Sequence, residues 1–487
     1  MLMQGLRAAT FGTPAVKNKH QMKVVIKHSI HLLLIAGLLQ SCKVTKDHTR
    51  PELNLPASFS AAAMGTDTGI VEIPAYRQFF ADQALVELLD KVMANNPDLL
   101  IASEQLLAAE ASLKSVKLNY LPDINLQVNA GVQRLSQNSM MGSFAGGLLF
   151  EEYNMAPAIS WDIDFWGKLK RQREEALSGY LSQAENRRAL RVQLIAQAAQ
   201  AYYNLLSLDE QLRIAQAVEK SMRETLAMLQ TQYAVGDVSS LAIRQSEAQL
   251  AETRALIPEI KAGIKAQENA LQTLAGSYPD AVQRARSLQN RAFATELETG
   301  VPADLLANRP DVKQQELQLQ GANARVGIAK ADFYPTLRIT GQGGLNAIKA
   351  TNWFSIPASL FGNVAAGLTQ PLFNRRSIRS AYEQAVHQRE AAVHAFRKSV
   401  LVAVEEVSTS LSTITHIKEQ LTEAGNRKVA MDKAMADARL LYQYGEANYL
   451  EVLTVQQSYF QAELAHTMVL QKEINAYIAL YKSLGGN

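Results

Sequence analysis

The chain carries one cysteine, Cys42, in 487 residues, so no disulfide can form within it. It also lacks any internal apolar run approaching the 18 or more residues that a membrane-spanning helix requires. If it crosses a membrane, it must do so as a closed barrel, because open strand edges cannot be satisfied in lipid. Proline is missing between Pro157 and Pro258 and again after Pro371, which leaves two long stretches without a helix breaker. A charge surplus is lacking too. The formal net charge is +3, but residues 1–42 hold five basic residues (Arg7, Lys17, Lys19, Lys23, Lys27) and no acid, leaving 44 basic against 46 acidic residues beyond them. So balanced a body gives no electrostatic case for nucleic acid. No nucleotide loop, zinc spacing or hydrolase elbow occurs, and His387 and His394, seven apart, have no third ligand in view. No catalysis, cofactor or metal is expected. What is present, 47% hydrophobic and 20% charged residues, is a globular composition long enough for more than one domain.

The basic N-terminal segment has its own logic. From Met22 the text runs MKVVIKHSIHLLLIAGLLQSC, a short Lys-bearing stretch and then the apolar Leu32–Leu39 before small and polar residues. That is an export signal in outline. Residues 22–41 are therefore read as a lipoprotein signal peptide, Met22 as the true start and 1–21 as an upstream extension. Leu39-Gln40-Ser41-Cys42 resembles a bacterial lipobox, whose cysteine is acylated. Each buried CH₂ of such a chain contributes ~0.8 kcal/mol of anchoring. Lys43 follows where an aspartate would favour the inner membrane, so the outer membrane is expected, with 42–75 a lipid-anchored linker.

The chain is written twice. Asn96-Pro97-Asp98-Leu99 recurs as Arg309-Pro310-Asp311-Val312, and Pro122 and Gly131 recur as Pro335 and Gly344, all at an offset of 213. Asp164-Phe165-Trp166-Gly167-Lys168 lies opposite Pro371-Leu372-Phe373-Asn374-Arg375 at 207. Tyr233-Ala234-Val235-Gly236 with Leu241 matches Tyr442-Gln443-Tyr444-Gly445 with Leu450 at 209. Four anchors in one order define two repeats, 76–300 and 301–487.

Each repeat has the same plan. Strands are predicted at about 122–133 and 155–166, then at 336–345 and 361–371, from period-2 alternation such as Ile124, Leu126, Val128 against Asn125, Gln127, Asn129. About ten residues suffices for a tilted membrane strand. Asp162 and Asp164 fall in the polar phase of the second strand, where a hydrated barrel lumen is the expected surrounding. Trp161, Trp166, Trp353 and Phe354 are candidates for interfacial aromatic rings. Helices are predicted at about 168–235 and 238–278, and at 376–444 and 447–483, rich in Ala, Leu, Gln, Glu, Arg and Lys. The first of these would be roughly 100 Å long at 1.5 Å per residue. Gly236 and Gly445 end the rising helices and permit reversal. Pro258 is expected to bend or break the first returning helix. Residues 279–302 read as a linker that, with 75–120 and the C-terminus, forms a girdle.

Four strands cannot close a barrel, so sister chains must cover the edges. Counting excludes a monomer and leaves a dimer or a trimer; a lumen wide enough for solutes favours three copies.

One stretch is more specific than any of this. Gly300-Val301-Pro302-Ala303-Asp304-Leu305-Leu306-Ala307-Asn308-Arg309-Pro310-Asp311-Val312, continuing to Phe333-Tyr334-Pro335, closely resembles the signature of the outer membrane factor family, the TolC/OprM/NodT-like channels. Ser160–Gly167 and the two Tyr-x-x-Gly turns extend the likeness over roughly residues 75–483. The resemblance implies a mostly α fold with membrane β. In it a homotrimeric twelve-stranded β-barrel continues into a twelve-helix periplasmic tube with an equatorial domain. It further implies a passive exit duct for an inner-membrane pump, usually of the resistance-nodulation-division type, reached through a periplasmic adaptor. A duct for type I protein secretion is the alternative, and an anchored coiled-coil scaffold without a pore a more distant one. By the same resemblance the turns at Tyr233, Gly236, Asp237, Tyr442 and Gly445 form the periplasmic gate and adaptor contact. Glu446 and Glu451 stand as lumen acids or as solvent-facing helix formers, while Ala447 replaces an acid common in the family. Asn374-Arg375-Arg376 replaces the glycine expected at the second barrel-to-helix corner, with Asn374 tolerating its turn geometry.

Overall fold

The computed structural model describes residues 47–53, 73–144, 149–285, 288, 293 and 309–486. Cys42, the signal segment, and Gly300, Pro302, Leu305 and Leu306 of the signature lie outside the described residues. The labelled elements are helices α1 (Gln83–Asn95) and α2 (Pro97–Leu118), strands β1 (Asp123–Arg134) and β2 (Leu149–Ile163), and helices α3 (Lys168–Ala234) and α4 (Ser240–Leu274). They continue as α5 (Pro310–Ala331), β3 (Thr336–Ala347), β4 (Leu360–Thr369), α6 (Ser377–Gln443) and α7 (Tyr449–Ser483). No helix among the described residues is long and apolar enough to cross a membrane.

The duplication is kept in every paired element but the second strand, where β2 has 15 residues and β4 has 10. α2 and α5 each have 22 residues, β1 and β3 each 12, α3 and α6 each 67, and α4 and α7 each 35. Compact units nevertheless do not follow the repeats. Among the described residues, one unit takes those within 47–48, 116–173 and 323–386, the other those within 49–115, 174–322 and 387–486, so each draws on both copies.

The first unit holds an antiparallel sheet in the order β1-β2-β3-β4. β2 begins at Leu149, six residues before the alternation predicts, and pairs there with Arg134. Adjacent Glu151 and Glu152 break the apolar period, which hid this end of the strand from the sequence pattern. The connection between β1 and β2 is correspondingly shorter and contains one helical turn, Met140–Phe144.

The second unit holds the main core. Phe79, Leu85 and Leu89 pack with Leu194, Ile195, Tyr202 and Leu205 of α3, Leu271 of α4, and Ile478 and Tyr481 of α7. Phe79 stacks on Tyr481 at 4.6 Å and on Phe293 at 4.8 Å, so N-terminal, linker and C-terminal segments meet in one aromatic cluster. Tyr202 is fully buried, and its hydroxyl donates to Asp82 at 2.6 Å while accepting from the Ala285 amide. Arg284 of the linker reaches Glu268 at 2.6 Å and Asp209 at 3.0 Å.

Pro258 does not break its helix: α4 runs from Ser240 to Leu274 through it. Pro258 and Arg254 are both exposed, so the Arg254 carbonyl that loses its donor can bond water instead.

Candidate functional site

In the sheet, register decides which side chains share a face. Ile124 pairs with Ile159, Trp161 with Ile339, Ile163 with Leu337, Leu337 with Leu368, and Ile339 with Ala366. The intervening pairs are Asn125–Ala158, Asn129–Asn154, Asp162–Arg338, Ser160–Thr340 and Gln342–Asn363. One face is thus apolar across all four strands, except for Arg134 and Glu151 at the loop end of β1 and β2, and the other is polar. Neither is covered: every residue of β1 and all but one of β4 are exposed, with Val364 at 82%. Among the described residues, the outer edges of β1 and β4 have no partner strand.

Asp162 lies on the polar face and accepts two bonds from the Arg338 guanidinium, at 2.6 and 2.9 Å. Arg338 is a residue that motif reading passes over, although it occupies the polar phase of β3. Asp164 sits elsewhere than alternation suggests. β2 ends at Ile163, and the Asp164 carboxylate accepts from the Leu169 and Lys170 amides at 3.0 and 2.9 Å, capping the first turn of α3. Trp166 is tucked rather than free: its indole donates to the Pro335 carbonyl at 2.7 Å and stacks on Tyr334 at 4.8 Å. Gly167 turns the corner at φ +77°.

Helix starts align the repeats here at an offset of 209 rather than the 207 read from the residue pattern, because Lys168 and Ser377 open α3 and α6. The counterpart of Gly167 is therefore Arg376, at φ +69°, and not Asn374.

In the second unit, each repeat ties the start of the helix before its first strand, α2 or α5, to the end of its own hairpin. Asn96 is buried; its side-chain oxygen caps the Asp98 and Leu99 amides, and its Nδ2 donates to the Leu274 carbonyl at 2.9 Å. Arg309, 213 residues on, is 6% exposed in its side chain and donates to the Ser483 carbonyl at 2.8 Å. It also pairs with Asp311 (2.7 and 3.0 Å) and Glu406 (2.7 Å). Burial pushes the Asp311 carboxyl up, but the Arg309 guanidinium outweighs that and holds it below the usual carboxylate range. The Arg-Pro-Asp of the signature is thus an anchor of α5 to α6 and α7.

The hairpin ends repeat in the same detail. Gly236 (φ +89°) donates to the Tyr233 carbonyl and Asp237 to that of Gln232, at 3.0 and 2.9 Å. Gly445 (φ +74°) and Glu446 do the same with Tyr442 and Leu441, at 3.1 and 2.9 Å. Both are the paired bonds of a left-handed helix stop, which only glycine enters without Cβ strain. Tyr233, Val235, Leu241, Tyr444 and Leu450 are exposed around them. The hairpins are bridged: Tyr442 donates to Gln232, Tyr449 to Gln245, and Arg439 to Ser221, which also accepts from Gln456 at 2.8 Å. Burial raises the Tyr442 hydroxyl, keeping it a donor across the ordinary pH range.

The two expected acids differ. Glu451 closes a capping box with Asn448, each side chain accepting from the other's amide at 3.0 Å. The Glu446 carboxylate is exposed and makes no bond with any described residue.

An antiparallel sheet largely apolar on one face and polar on the other, together with long helical hairpins, is the pattern of the outer-membrane channel class. The family profile described as "Outer membrane efflux protein" matches residues 88–277 and 301–486, and the chain belongs to that family. It is 26% identical to the cation efflux system protein CusC of Escherichia coli, over 93% of this chain and 98% of that one. It is 27% identical to the solvent efflux pump outer membrane protein SrpC of Pseudomonas putida, over 93% and 96%. The solved outer-membrane channel OprN superposes with a TM-score of 0.84 at 25% identity, covering 92% of this chain and 99% of that one. The chain is an outer-membrane efflux channel protein, and its family performs no catalysis.

Proposed function

We propose that three copies close their sheets into a twelve-stranded barrel and their hairpins into a periplasmic helical tube. This duct would carry substrates delivered by an inner-membrane pump, of the resistance-nodulation-division type, through a periplasmic adaptor. The observation that carries the reading is the pair of bare edges on a sheet whose apolar face is exposed. In lipid, each unpaired backbone group would cost several kcal/mol, and sister strands are the economical cover. The polar face, with Asp162 and Arg338, then lines the lumen, while Asp164 serves the corner instead. Efflux is preferred to protein secretion because the names of the relatives speak of efflux. Acylation at Cys42 would hold the N-terminal linker to the same membrane.

The exposed apolar residues around Gly236 and Gly445, with Tyr233 and Asp237, form the surface for the adaptor. Glu446 is the better candidate for a cation-sensing acid at the tip, since Glu451 is engaged in holding α7. The test is the mass of the detergent-solubilised protein by sedimentation, followed by conductance in planar bilayers. Three copies and a salt-dependent pore are expected, with a cation response altered by Glu446→Ala. A monomer without conductance would overturn the reading.

A further inference from the structure

The two barrel-to-helix corners, aligned on their helix starts, are built on opposite principles. In the first, Asp164 caps α3, Trp166 folds back on Tyr334, and glycine takes the positive φ. In the second, Phe373 stands where Asp164 does and Arg375 where Trp166 does. Leu372 and Phe373 are 94% and 88% exposed, among the barest large apolar side chains described. The left-handed turn is carried by two arginines, Arg375 (φ +53°) and Arg376 (φ +69°). Arg376 shares Glu383 with Arg379 at 3.2 Å, and Arg375 makes no hydrogen bond or ion pair with any described residue.

We propose that this corner binds the headgroup of an anionic phospholipid in the periplasm-side leaflet, the phosphate on Arg375 and Arg376 and the acyl chains against Leu372 and Phe373. The inference rests on the barrel reading. Guanidinium forks match phosphate oxygens in geometry as well as charge. Leu372 lies three residues beyond the end of β4, past Gln370 and Pro371, so the bare pair follows directly on the strand whose Val364, Ala366 and Leu368 belong to the apolar face. A sister chain is the poorer occupant. The strand that would cover the edge of β4 is the sister's β1, and residues 116–123 leading into it carry Lys117 and Asp123, with no surplus acid for two arginines.

Native mass spectrometry of the purified full chain, with added phosphatidylglycerol or phosphatidylcholine of matched acyl chains, tests this. The wild type should retain phosphatidylglycerol preferentially. The double variant Arg375→Gly, Arg376→Gly removes both charges while easing the backbone, so it should assemble normally yet retain about fivefold less or worse. Arg375→Lys with Arg376→Lys should keep much of the preference. Unchanged retention in an assembled glycine variant overturns the proposal. So does loss of assembly in that variant, which would assign the arginines to the sister contact, or displacement by inorganic phosphate, which would mark a free-anion site. A wild type that fails to assemble would instead strike the barrel reading itself, and is told apart by its mass.

Discussion

Arg309 shows what a single residue does here: a guanidinium almost wholly out of water, satisfied by two carboxylates and a carbonyl from three parts of the chain. Removing it strands Asp311 and Glu406, which are themselves partly exposed and can recover some hydration. Arg309→Ala should therefore cost on the order of 2–3 kcal/mol, below the full penalty for breaking a fully buried pair. The thermal unfolding midpoint in detergent is the readout, with Arg309→Lys losing less. The pH sign follows from Asp311, whose folded value is depressed from the ordinary 3.8. Its contribution is fully present above about pH 4 and is lost as pH falls through the folded value. The gap between wild type and Arg309→Ala should accordingly narrow in acid. Glu451 makes a second test at this scale. Opening its capping box with Glu451→Ala should cost about 0.5–2 kcal/mol and quicken amide exchange in the first turn of α7. Glu446→Ala should leave that exchange as it was.

Between elements, the sheet depends on close approach at Gly344. A Cβ there would sit 2.1 Å from the Met155 carbonyl oxygen and 2.6 Å from the Ala156 Cα, so Gly344→Ala must push β2 from β3. A loss of at least about 1–3 kcal/mol is expected, seen as a lowered thermal unfolding midpoint by circular dichroism. The sequence made both Gly344 and the turn glycines legible, because a left-handed stop and a repeated offset leave marks in residue identity. It left Asp164 misread, since a carboxylate one residue past a strand keeps the strand's alternation while serving the next helix. The Arg309 anchor was visible only as a motif; its partners Glu406 and Ser483 lie 97 and 174 residues away, a separation that no local pattern encodes. That α4 continues through Pro258 was not legible either, because the freed Arg254 carbonyl is tolerated only where it meets water, and exposure is a tertiary property.

For the whole molecule, the internal symmetry supplies a test of assembly. Gly131 is the repeat partner of Gly344, yet a Cβ there meets nothing within 4 Å. If a sister's β4 covers β1 as β2 covers β3, that empty space is filled only in the oligomer. Gly131→Val should then leave the single chain able to fold while sharply reducing trimer, whereas Gly344→Val harms both. Sedimentation alongside circular dichroism separates the two, and a trimer undisturbed by Gly131→Val would refute the inferred seam.

Sixty-seven residues out and thirty-five back, in both halves, also limits how such a chain can change over generations. One inserted residue lengthens a helix by 1.5 Å and swings everything beyond it by about 100°, carrying Tyr442 or Gln232 away from its mate. Lengthening is tolerable only when both halves take it together, so descendants of this chain should differ in size by matched steps, each half keeping the other's measure.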